Sequence, residues 1–181
     1  MTSVATPVSS TAVSGVPTPR QQFLEAYDRE HTITMRVLRA YPPEKSELQP
    51  HPSSKSAREL AWIFVLERGL GKAGLNNAFA SGQVGGGSPP PPEKWEDVLT
   101  AIEAAHLDFR QVFDSFSDEQ LLEPIKFFAG PKTLVDMSRV SFAWFLLTDQ
   151  IHHRGQMSVY LRMADGKVPS IYGPSKDEPW F

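Results

Sequence analysis

The feature that most constrains the fold is helical periodicity, which appears in four separate segments of this 181-residue chain. In each segment apolar residues return every three or four positions, as they do on the buried face of an amphipathic helix. Ser56 and Glu59 also have the S-x-x-E spacing of a capping box, which marks the start of the second segment. The sequence therefore predicts an all-α, four-helix bundle, with helices over about residues 20–40, 56–70, 93–116 and 137–164.

Stretches rich in proline and glycine separate these segments. Pro42 and Pro43 end the first helix, and residues 82–92 form a loop or linker before the third. The stretch "PIKFFAGPK" is predicted to be an irregular or briefly extended connection, without a strand pair. Residues 1–19 carry no charged side chain, so we expect a disordered tail there. The bundle domain then covers residues 20–181 and closes with an irregular C-terminal extension.

The composition excludes several classes of protein. Cysteine is absent, so a disulfide framework, a thiolate nucleophile and Cys-ligated zinc are all excluded, and any metal must be held by His, Asp or Glu. The formal net charge is −3 and the basic residues are scattered, which argues against nucleic acid or an anionic membrane as the partner. No apolar run approaches the length needed to cross a bilayer. We therefore expect a cytoplasmic protein that binds neither nucleic acid nor membrane.

One glycine motif imitates a nucleotide-binding site. Residues Gly69–Gly74 match G-x-G-x-x-G, and Asp97 follows at about the distance of a ribose-binding acid. This fingerprint carries meaning only between a strand and a helix. The run before it is capped like a helix, and the run after it contains too much glycine and proline to form one. The sequence therefore disfavours dinucleotide binding.

The fourth predicted helix carries polar groups on a face that also carries aromatic ones. At about 100° per residue, one narrow face holds Phe142, Phe145, Asp149, His153, Gln156 and Tyr160. A carboxylate on a buried face needs a cation, a hydrogen-bond donor or a metal. Two explanations stay open. One is an internal Asp149–His153 ion pair, with His152 and Arg154 at the surface, and the other is a metal site.

The metal hypothesis gains weight because the other predicted helices also carry metal-competent groups. His31 lies on the apolar stripe of the first helix, and His106 lies on that of the third. Glu67 is turned inward on the second. Metal sites in helical bundles are built from such side chains on facing helices. Asp149 and His153, four residues apart, can reach one ion from consecutive turns.

Three stretches resemble the DinB/YfiT-like family of bacterial four-helix proteins, namely "EHTITMRVLRAYP", "KSARELAW" and "DQIHHRGQMSVYLRMADGKVPSIYGPS". The similarity covers the chain after the tail, and the H-R-G-Q and I-Y-G-P-S elements are its most specific parts. The resemblance implies an up-down-down-up bundle, a homodimer, and a metal held by three histidines. One of these comes from helix two, and two come from helix four with the spacing H-x-x-x-H. It also implies that the metal activates a low-molecular-weight thiol, such as bacillithiol or mycothiol, for transfer or isomerisation.

The ligand pattern of the family matches this sequence incompletely. His153 falls on the second helix-four ligand, and Asp149 stands at the first. Ile63 stands at the helix-two position and cannot coordinate a metal. The third ligand is then one of the remaining candidates: Glu67 (one turn beyond that isoleucine), His31 or His106. A mixed histidine and carboxylate set of this kind suits Zn, Ni, Fe or Mn.

Two functions of different class follow from these residues. The first is a metal-dependent enzyme that acts on a small molecule, with thiol transfer as the best-precedented chemistry. Its pocket is expected at the bundle mouth, closed by Tyr160, Tyr172 and the C-terminal loop. The second is a non-catalytic, dimeric binding or stress-response protein in which Asp149 and His153 form a structural pair. Self-association is expected because the fourth helix has apolar residues on its other side too: Leu147, Ile151 and Leu161.

Overall fold

The computed structural model describes residues 16–80, 87–130 and 133–181. Within these residues the chain is mostly helical, with five α-helices and one two-stranded sheet. The elements in chain order are α1 (Pro19–Arg39), a 3-10 turn (Pro43–Lys45), α2 (Ala57–Leu75), α3 (Trp95–Asp114), α4 (Asp118–Leu122), β1 (Pro124–Gly130), β2 (Thr133–Ser138) and α5 (Arg139–Met163). The tail expected over residues 1–19 falls mostly outside the described residues. None of the helices described is long and apolar enough to span a bilayer.

Local sequence sets where the helices begin. α1, α2 and α4 each begin with a capping box. The hydroxyl of the capping residue accepts a hydrogen bond from the amide of the third helical residue, and the side chain of that third residue accepts one from the amide of the capping residue. The three capping residues are Thr18, Ser56 and Ser117. The capping box predicted at Ser56 is therefore confirmed. Pro19 occupies the first turn of α1, where a missing amide hydrogen costs nothing.

The four long helices, α1, α2, α3 and α5, pack around two hydrophobic clusters. The first core includes Phe23, Tyr27, Leu75, Phe109, Phe113, Phe142 and Leu146. The second core includes Met35, Leu38, Leu60, Phe64, Trp95, Val98, Met157 and Leu161. Along the chain, α1 and α5 lead from the first core to the second, whereas α2 and α3 lead from the second to the first. Each long helix therefore contributes apolar side chains to both cores.

A layer of buried polar side chains lies between the two cores, and every long helix contributes to it. We call these side chains, together with the less buried polar groups that contact them, the polar layer; its buried members are Glu30, Thr34, Glu67, Arg68, His106, Gln150 and Arg154. On each helix these residues fall between the stretch that enters the first core and the stretch that enters the second. Polar groups from four helices thus share one depth of the molecule, which the sequence alone did not establish.

A β-hairpin corrects the expectation of an all-α fold without strands. β1 and β2 pair antiparallel in the stretch for which no strand pair was expected. Ile125 and Phe127 turn into the first core. Lys126 lies between them and faces outward, where it pairs at 2.8 Å with its cross-strand partner Asp136. This alternation is the period-two pattern of a half-buried strand, but it is too short to separate from a loop in the sequence.

The glycine motif lies inside α2 and serves helix packing. A Cβ atom at Gly71 would overlap the ring of Phe109, and one at Gly74 would overlap the ring of Phe142. The two glycines therefore allow α3 and α5 to approach the backbone of α2 closely. The motif does not form the strand-to-helix turn that a dinucleotide needs.

The apolar residues of α5 that were expected to need cover from a second copy are covered within the chain itself. Leu147 and Leu161 are buried in the chain's own cores, and Ile151 packs against the first core. They therefore need no cover from a second copy. The exposed large apolar side chains of α5 are instead Trp144, Phe145, Val159 and Met163. The homodimer stays a prediction.

Residues 164–181 form bends and turns, as expected for an irregular C-terminal extension. Arg36 of α1 holds this extension against the helices. Its Nη1 donates to the carbonyl oxygen of Ser170 at 3.2 Å, and its Nη2 donates to Oε2 of Glu178 at 2.8 Å. The extension therefore packs back along α1, which positions Tyr172 near the polar layer.

Candidate functional site

Three of the five candidate metal ligands meet between α2 and α5. Glu67 Oε1 lies 3.1 Å from His153 Nε2, and Asp149 Oδ2 lies 3.8 Å from the same nitrogen. One ligand atom from each of the three residues lies within 4.8 Å of the others. We call these residues the acid–histidine cluster. The prediction that Asp149 and His153 lie within reach of each other is confirmed.

The cluster sits at the edge of the helix interface, which corrects the predicted orientation of α5. Phe145 and Gln156, which were assigned to the interior face, are both exposed. Asp149 and His153 are half-buried, and only Glu67 is fully buried. The inward face of α5 instead carries Phe142, Leu146, Gln150, Arg154, Met157 and Leu161. This face also has helical spacing, so periodicity alone does not choose between the two.

Burial controls the charge of Glu67. Desolvation raises its pKa from 4.5 to about 7, although the hydrogen bond with His153 acts in the opposite direction. The same hydrogen bond, which His153 donates and Glu67 accepts, raises the pKa of His153. Glu67 Oε2 is buried and has no hydrogen-bond partner. A buried carboxylate oxygen without a partner is costly, so this oxygen favours a proton or a cation beside it.

The geometry of the acid–histidine cluster fits a divalent cation. Nitrogen and oxygen ligands bind such ions at about 2.1 Å, so neighbouring ligand atoms lie roughly 3.0–3.4 Å apart in octahedral or tetrahedral geometry. Glu67 Oε1 lies 3.1 Å from His153 Nε2, within that range, and Asp149 Oδ2 lies 3.8 Å from it, slightly beyond. One imidazole and two carboxylates also form the type of donor set that binds Zn, Ni, Fe or Mn.

Gln156 orients His153. Its Oε1 lies 3.1 Å from His153 Nδ1, and its Nε2 lies 3.0 Å from His152 Nε2. Because an amide oxygen only accepts, Nδ1 of His153 carries a proton, and Nε2 faces Glu67, to which it donates when the ring is doubly protonated. Metal-bound histidines are oriented by the same kind of second hydrogen bond. Gln156 therefore holds His153 from the exposed side of α5, and not from the interior face predicted for it.

His31 and His106 lie in a different part of the polar layer. Their rings stack at 3.8 Å between centroids, and Arg68 Nη2 lies 3.3 Å from His31 Nδ1. Burial lowers the pKa of each histidine to about 3, and the nearby Arg68 charge adds to the shift. His106 Nε2 is 3.1 Å from Asp28 Oδ1. A fixed guanidinium beside the rings repels a second cation, so these histidines do not complete the acid–histidine cluster.

The ion-pair explanation placed Arg154 at the surface, and in that respect it is wrong. Arg154 is 1% exposed, and its Nη1 donates to Glu30 Oε2 at 2.8 Å. Tyr172 donates to the same carboxylate oxygen at 2.5 Å and also accepts from Arg154 Nη2. We call Glu30, Arg154 and Tyr172 the arginine cluster. Burial opposes ionisation of Glu30, but the hydrogen bonds from Tyr172 and Arg154 hold its pKa below the ordinary value.

A cavity of about 500 Å³ opens beside His153. α2, α5 and the loop before α2 surround it, and its lining residues are Pro50, Ser54, Lys55, Leu60, Ile63, His153, Gln156, Val159 and Tyr160. Tyr160 contributes to this pocket as expected. Tyr172 does not, because its hydroxyl is engaged in the arginine cluster. The mouth of the cavity is therefore formed by the loop before α2, and not by the C-terminal extension as predicted.

Comparison with known proteins identifies the family. The sequence pattern of the DinB family matches residues 12–180 of this chain. The chain belongs to the DinB family. A curated relative of this DinB protein is the uncharacterized protein YrdA of Bacillus subtilis (strain 168). The two are 28% identical over 157 residues, which cover 86% of this chain and 89% of the relative.

Solved structures of DinB-like proteins share the fold. A DinB-like protein from Bacillus cereus ATCC 10987 superposes with a TM-score of 0.70 at 23% identity, covering 83% of this chain and 95% of that one. A DinB-like protein from Bacillus subtilis, YjoA, gives a TM-score of 0.63 at 16% identity, with 81% and 94% covered. A conserved protein from Enterococcus faecalis gives 0.62 at 19% identity, with 84% and 100% covered. At these identities the likeness establishes the fold of the DinB protein.

Proposed function

We propose that this DinB protein is a metal-dependent enzyme that acts on a small molecule, with the ion held by Glu67, Asp149 and His153. The observation that carries the proposal is the convergence of three ligand atoms beside a cavity. The buried, unpartnered oxygen of Glu67 supports it, because a cation is the partner that this atom lacks. We also propose that the long helices have the up-down-down-up order of the family.

The chemistry follows from the three ligands. A bound divalent ion supplies Lewis-acid activation, which lowers the pKa of a water or thiol that it binds. Three protein ligands leave positions open for that second molecule. Gln156 keeps Nε2 of His153 turned towards the carboxylates, and Ile63 and Leu60 form an apolar wall beside them. Thiol transfer with a low-molecular-weight thiol is the reaction that we propose, in a cytoplasmic homodimer.

A second candidate function is a non-catalytic, dimeric binding or stress-response protein. The observation that favours it is the direct contact between His153 and Glu67 at 3.1 Å. An imidazolium at this distance neutralises a buried carboxylate without any ion. The structural pair would then be Glu67 with His153, since Asp149 lies farther from the nitrogen at 3.8 Å and its side chain is 43% exposed.

Elemental analysis of protein purified without a histidine tag separates the two functions. The enzyme hypothesis predicts about one divalent ion per chain, which should be lost in the His153→Ala variant. His152→Ala is the matched control, because His152 is the neighbouring, exposed imidazole and should leave the ion in place. An ion-free wild-type protein that also takes up no added Zn²⁺ would contradict the proposal.

The reaction itself is tested with a generic pair of substrates. The metal-loaded protein, a small thiol and the chromogenic electrophile 1-chloro-2,4-dinitrobenzene should give a thioether at a rate above that of the uncatalysed mixture. Chelation of the ion and the His153→Ala substitution should both remove this excess rate. A rate that is equal in wild type and His153→Ala would exclude thiol activation at this site.

A further inference from the structure

The cavity beside His153 is elongated along α2. Lys55 precedes the capping residue of α2, Leu60 and Ile63 follow on successive turns, and Glu67 of the acid–histidine cluster comes one turn later. At 1.5 Å per residue, the helix advances roughly 16 Å between Ser56 and Glu67. α5 runs alongside, so Tyr160 stands near Lys55 and His153 stands near Glu67. The cavity therefore has a lysine end and a histidine end.

The wall between the two ends is apolar. Leu60, Ile63 and Val159 lie along it, and Pro50 and the Tyr160 ring add further apolar surface. Val159 is 58% exposed although it is a large aliphatic residue, so it gains from any apolar ligand that covers it. A volume of about 500 Å³ is in the range of pockets that hold small molecules. This wall suits a hydrocarbon or aromatic body better than a sugar or a phosphate chain.

Lys55 gives the lysine end its charge. It is the sole Lys or Arg among the residues that line the cavity, and no Asp or Glu is among them. No carboxylate of the described residues lies within 4 Å of its amino group. The hydroxyl of Tyr160 donates to the carbonyl oxygen of Lys55 at 3.0 Å, which fixes the backbone from which the side chain extends.

The backbone amides at the start of α2 already donate hydrogen bonds within the protein, so they are not free to bind an anion. The Ser56 amide donates to Glu59 Oε2, and the Glu59 amide donates to Ser56 Oγ. The amides of Ala57 and Arg58 donate to carbonyl oxygens in the preceding loop. All the amides that a helix start normally offers to an anion are thus occupied. The ammonium group of Lys55 remains for a negatively charged group at this end.

We propose that the cavity takes a small amphipathic acid, whose anionic group pairs with Lys55 and whose apolar body lies against Leu60, Ile63 and Val159. The inference rests on the proposed function in one respect: it places the end opposite the acid group at the acid–histidine cluster. The ligand class is an elongated monoanion with a hydrocarbon or aromatic chain of about the length of a medium-chain carboxylic acid.

The test uses octanoate and its neutral counterpart 1-octanol, with affinities measured by ligand-detected NMR on the full, metal-loaded chain. Octanoate should bind more tightly than 1-octanol. Lys55→Met should weaken octanoate about tenfold, the size expected for loss of one charged hydrogen bond, and should leave 1-octanol unchanged. Lys55→Arg should retain octanoate binding. Lys94→Met removes an exposed lysine before α3 and serves as the matched control.

Repeating the measurement on chelated protein distinguishes this proposal from the proposed function. If octanoate affinity falls on chelation but not in Lys55→Met, the acid group sits on the ion, and the assignment to Lys55 is overturned while the metal site stands. If the Lys55→Met effect persists in protein that binds no metal, the ligand class stands and the metal hypothesis fails. Equal affinities of wild type and Lys55→Met in both forms overturn the proposal. Ile63→Asn should weaken octanoate and 1-octanol alike, because both use the apolar wall.

Discussion

The polar layer contains two clusters, and each is built around a buried glutamate. The two glutamates differ in how far their oxygen atoms are paired with hydrogen-bond donors. In the arginine cluster, Glu30 is 4% exposed and receives hydrogen bonds from Arg154 and Tyr172. In the acid–histidine cluster, Glu67 is 8% exposed and one of its two oxygens has no partner. Both glutamates are thus largely shielded from solvent, and their hydrogen-bond partners differ.

The difference appears in the preferred charge of each carboxylate. The pKa of Glu30 lies below its ordinary value because Tyr172 and Arg154 outweigh desolvation. The pKa of Glu67 rises to about 7 because His153 does not outweigh it. The first arrangement is complete within the chain and ties α1, α5 and the C-terminal extension together. The second leaves one glutamate oxygen without a hydrogen-bond partner, and we propose that a bound cation completes it.

The largest effect is expected from breaking the arginine cluster. Arg154→Met removes the buried guanidinium from Glu30 and leaves it with the exposed Arg29, whose Nε lies 3.3 Å from Glu30 Oε1. It should lower the free energy of unfolding by about 3–5 kcal/mol. Arg162→Met is the matched control, because this arginine of the same helix pairs with Asp177 near the surface and its side chain is 49% exposed. It should cost less than about 1 kcal/mol. Urea unfolding at pH 7 measures both, and similar costs for the two variants would contradict the comparison.

The second prediction concerns pH, where the two carboxylates should respond with opposite sign. Because the pKa of Glu67 is raised in the fold, the metal-free protein has the full contribution of this group to stability below about pH 4.5. The contribution is lost as the pH rises through about 7, where the buried group must ionise. Because the pKa of Glu30 is lowered in the fold, its carboxylate contributes stability above about pH 4.5. This contribution is lost as the pH falls through the lowered pKa of the folded state. The Glu67 shift corresponds to about 3 kcal/mol.

Glu67→Gln isolates the Glu67 contribution. This variant keeps the shape of the side chain and removes its titration, so it should gain stability relative to wild type between pH 5 and pH 8. Urea unfolding with chelator present gives the difference at each pH. Parallel curves of unfolding free energy against pH for the two proteins would show that the pKa of Glu67 is the same in the folded and unfolded states.

A third prediction addresses the orientation of His153. Gln156→Leu removes the acceptor of Nδ1 and should weaken Zn²⁺ binding by about 10–100-fold, as loss of an orienting hydrogen bond does in metal sites. Gln156→Glu keeps an acceptor and should retain most of the affinity. Isothermal calorimetry gives the affinities. Because Gln156 is exposed, the melting temperature should hardly change, and a large drop in it would indicate a structural role.

The smallest effect should come from His153→Ala in the metal-free protein. Glu67 can take up a proton near neutral pH, and Asp149 reaches water, so the loss of the imidazole should cost about 1 kcal/mol. A closed ion pair like that of Arg154 would instead cost about 3–5 kcal/mol. A cost in that higher range, measured by urea unfolding with chelator present, would favour the structural-pair function.

The helices could be predicted because their signals are local. Capping boxes and apolar spacing are written within each segment, and Asp149 and His153 are four residues apart on one helix. The position of Arg154 could not be predicted in this way. Two neighbouring stripes of α5 both have helical spacing, and the choice depends on Glu30 and Tyr172, which approach from other parts of the chain. Likewise, only the packing of α2 on α5 selects Glu67 over His31 and His106.

Anomalous diffraction from a crystal grown with Zn²⁺ would locate a bound ion in the acid–histidine cluster. We expect one ion about 2.0–2.2 Å from His153 Nε2 and from one carboxylate oxygen each of Glu67 and Asp149. The arginine cluster should be unchanged, with Tyr172 and Arg154 still on Glu30. A Zn²⁺ ion bound between His31 and His106, or an acid–histidine cluster that stays free of Zn²⁺ at saturating concentration, would contradict this expectation.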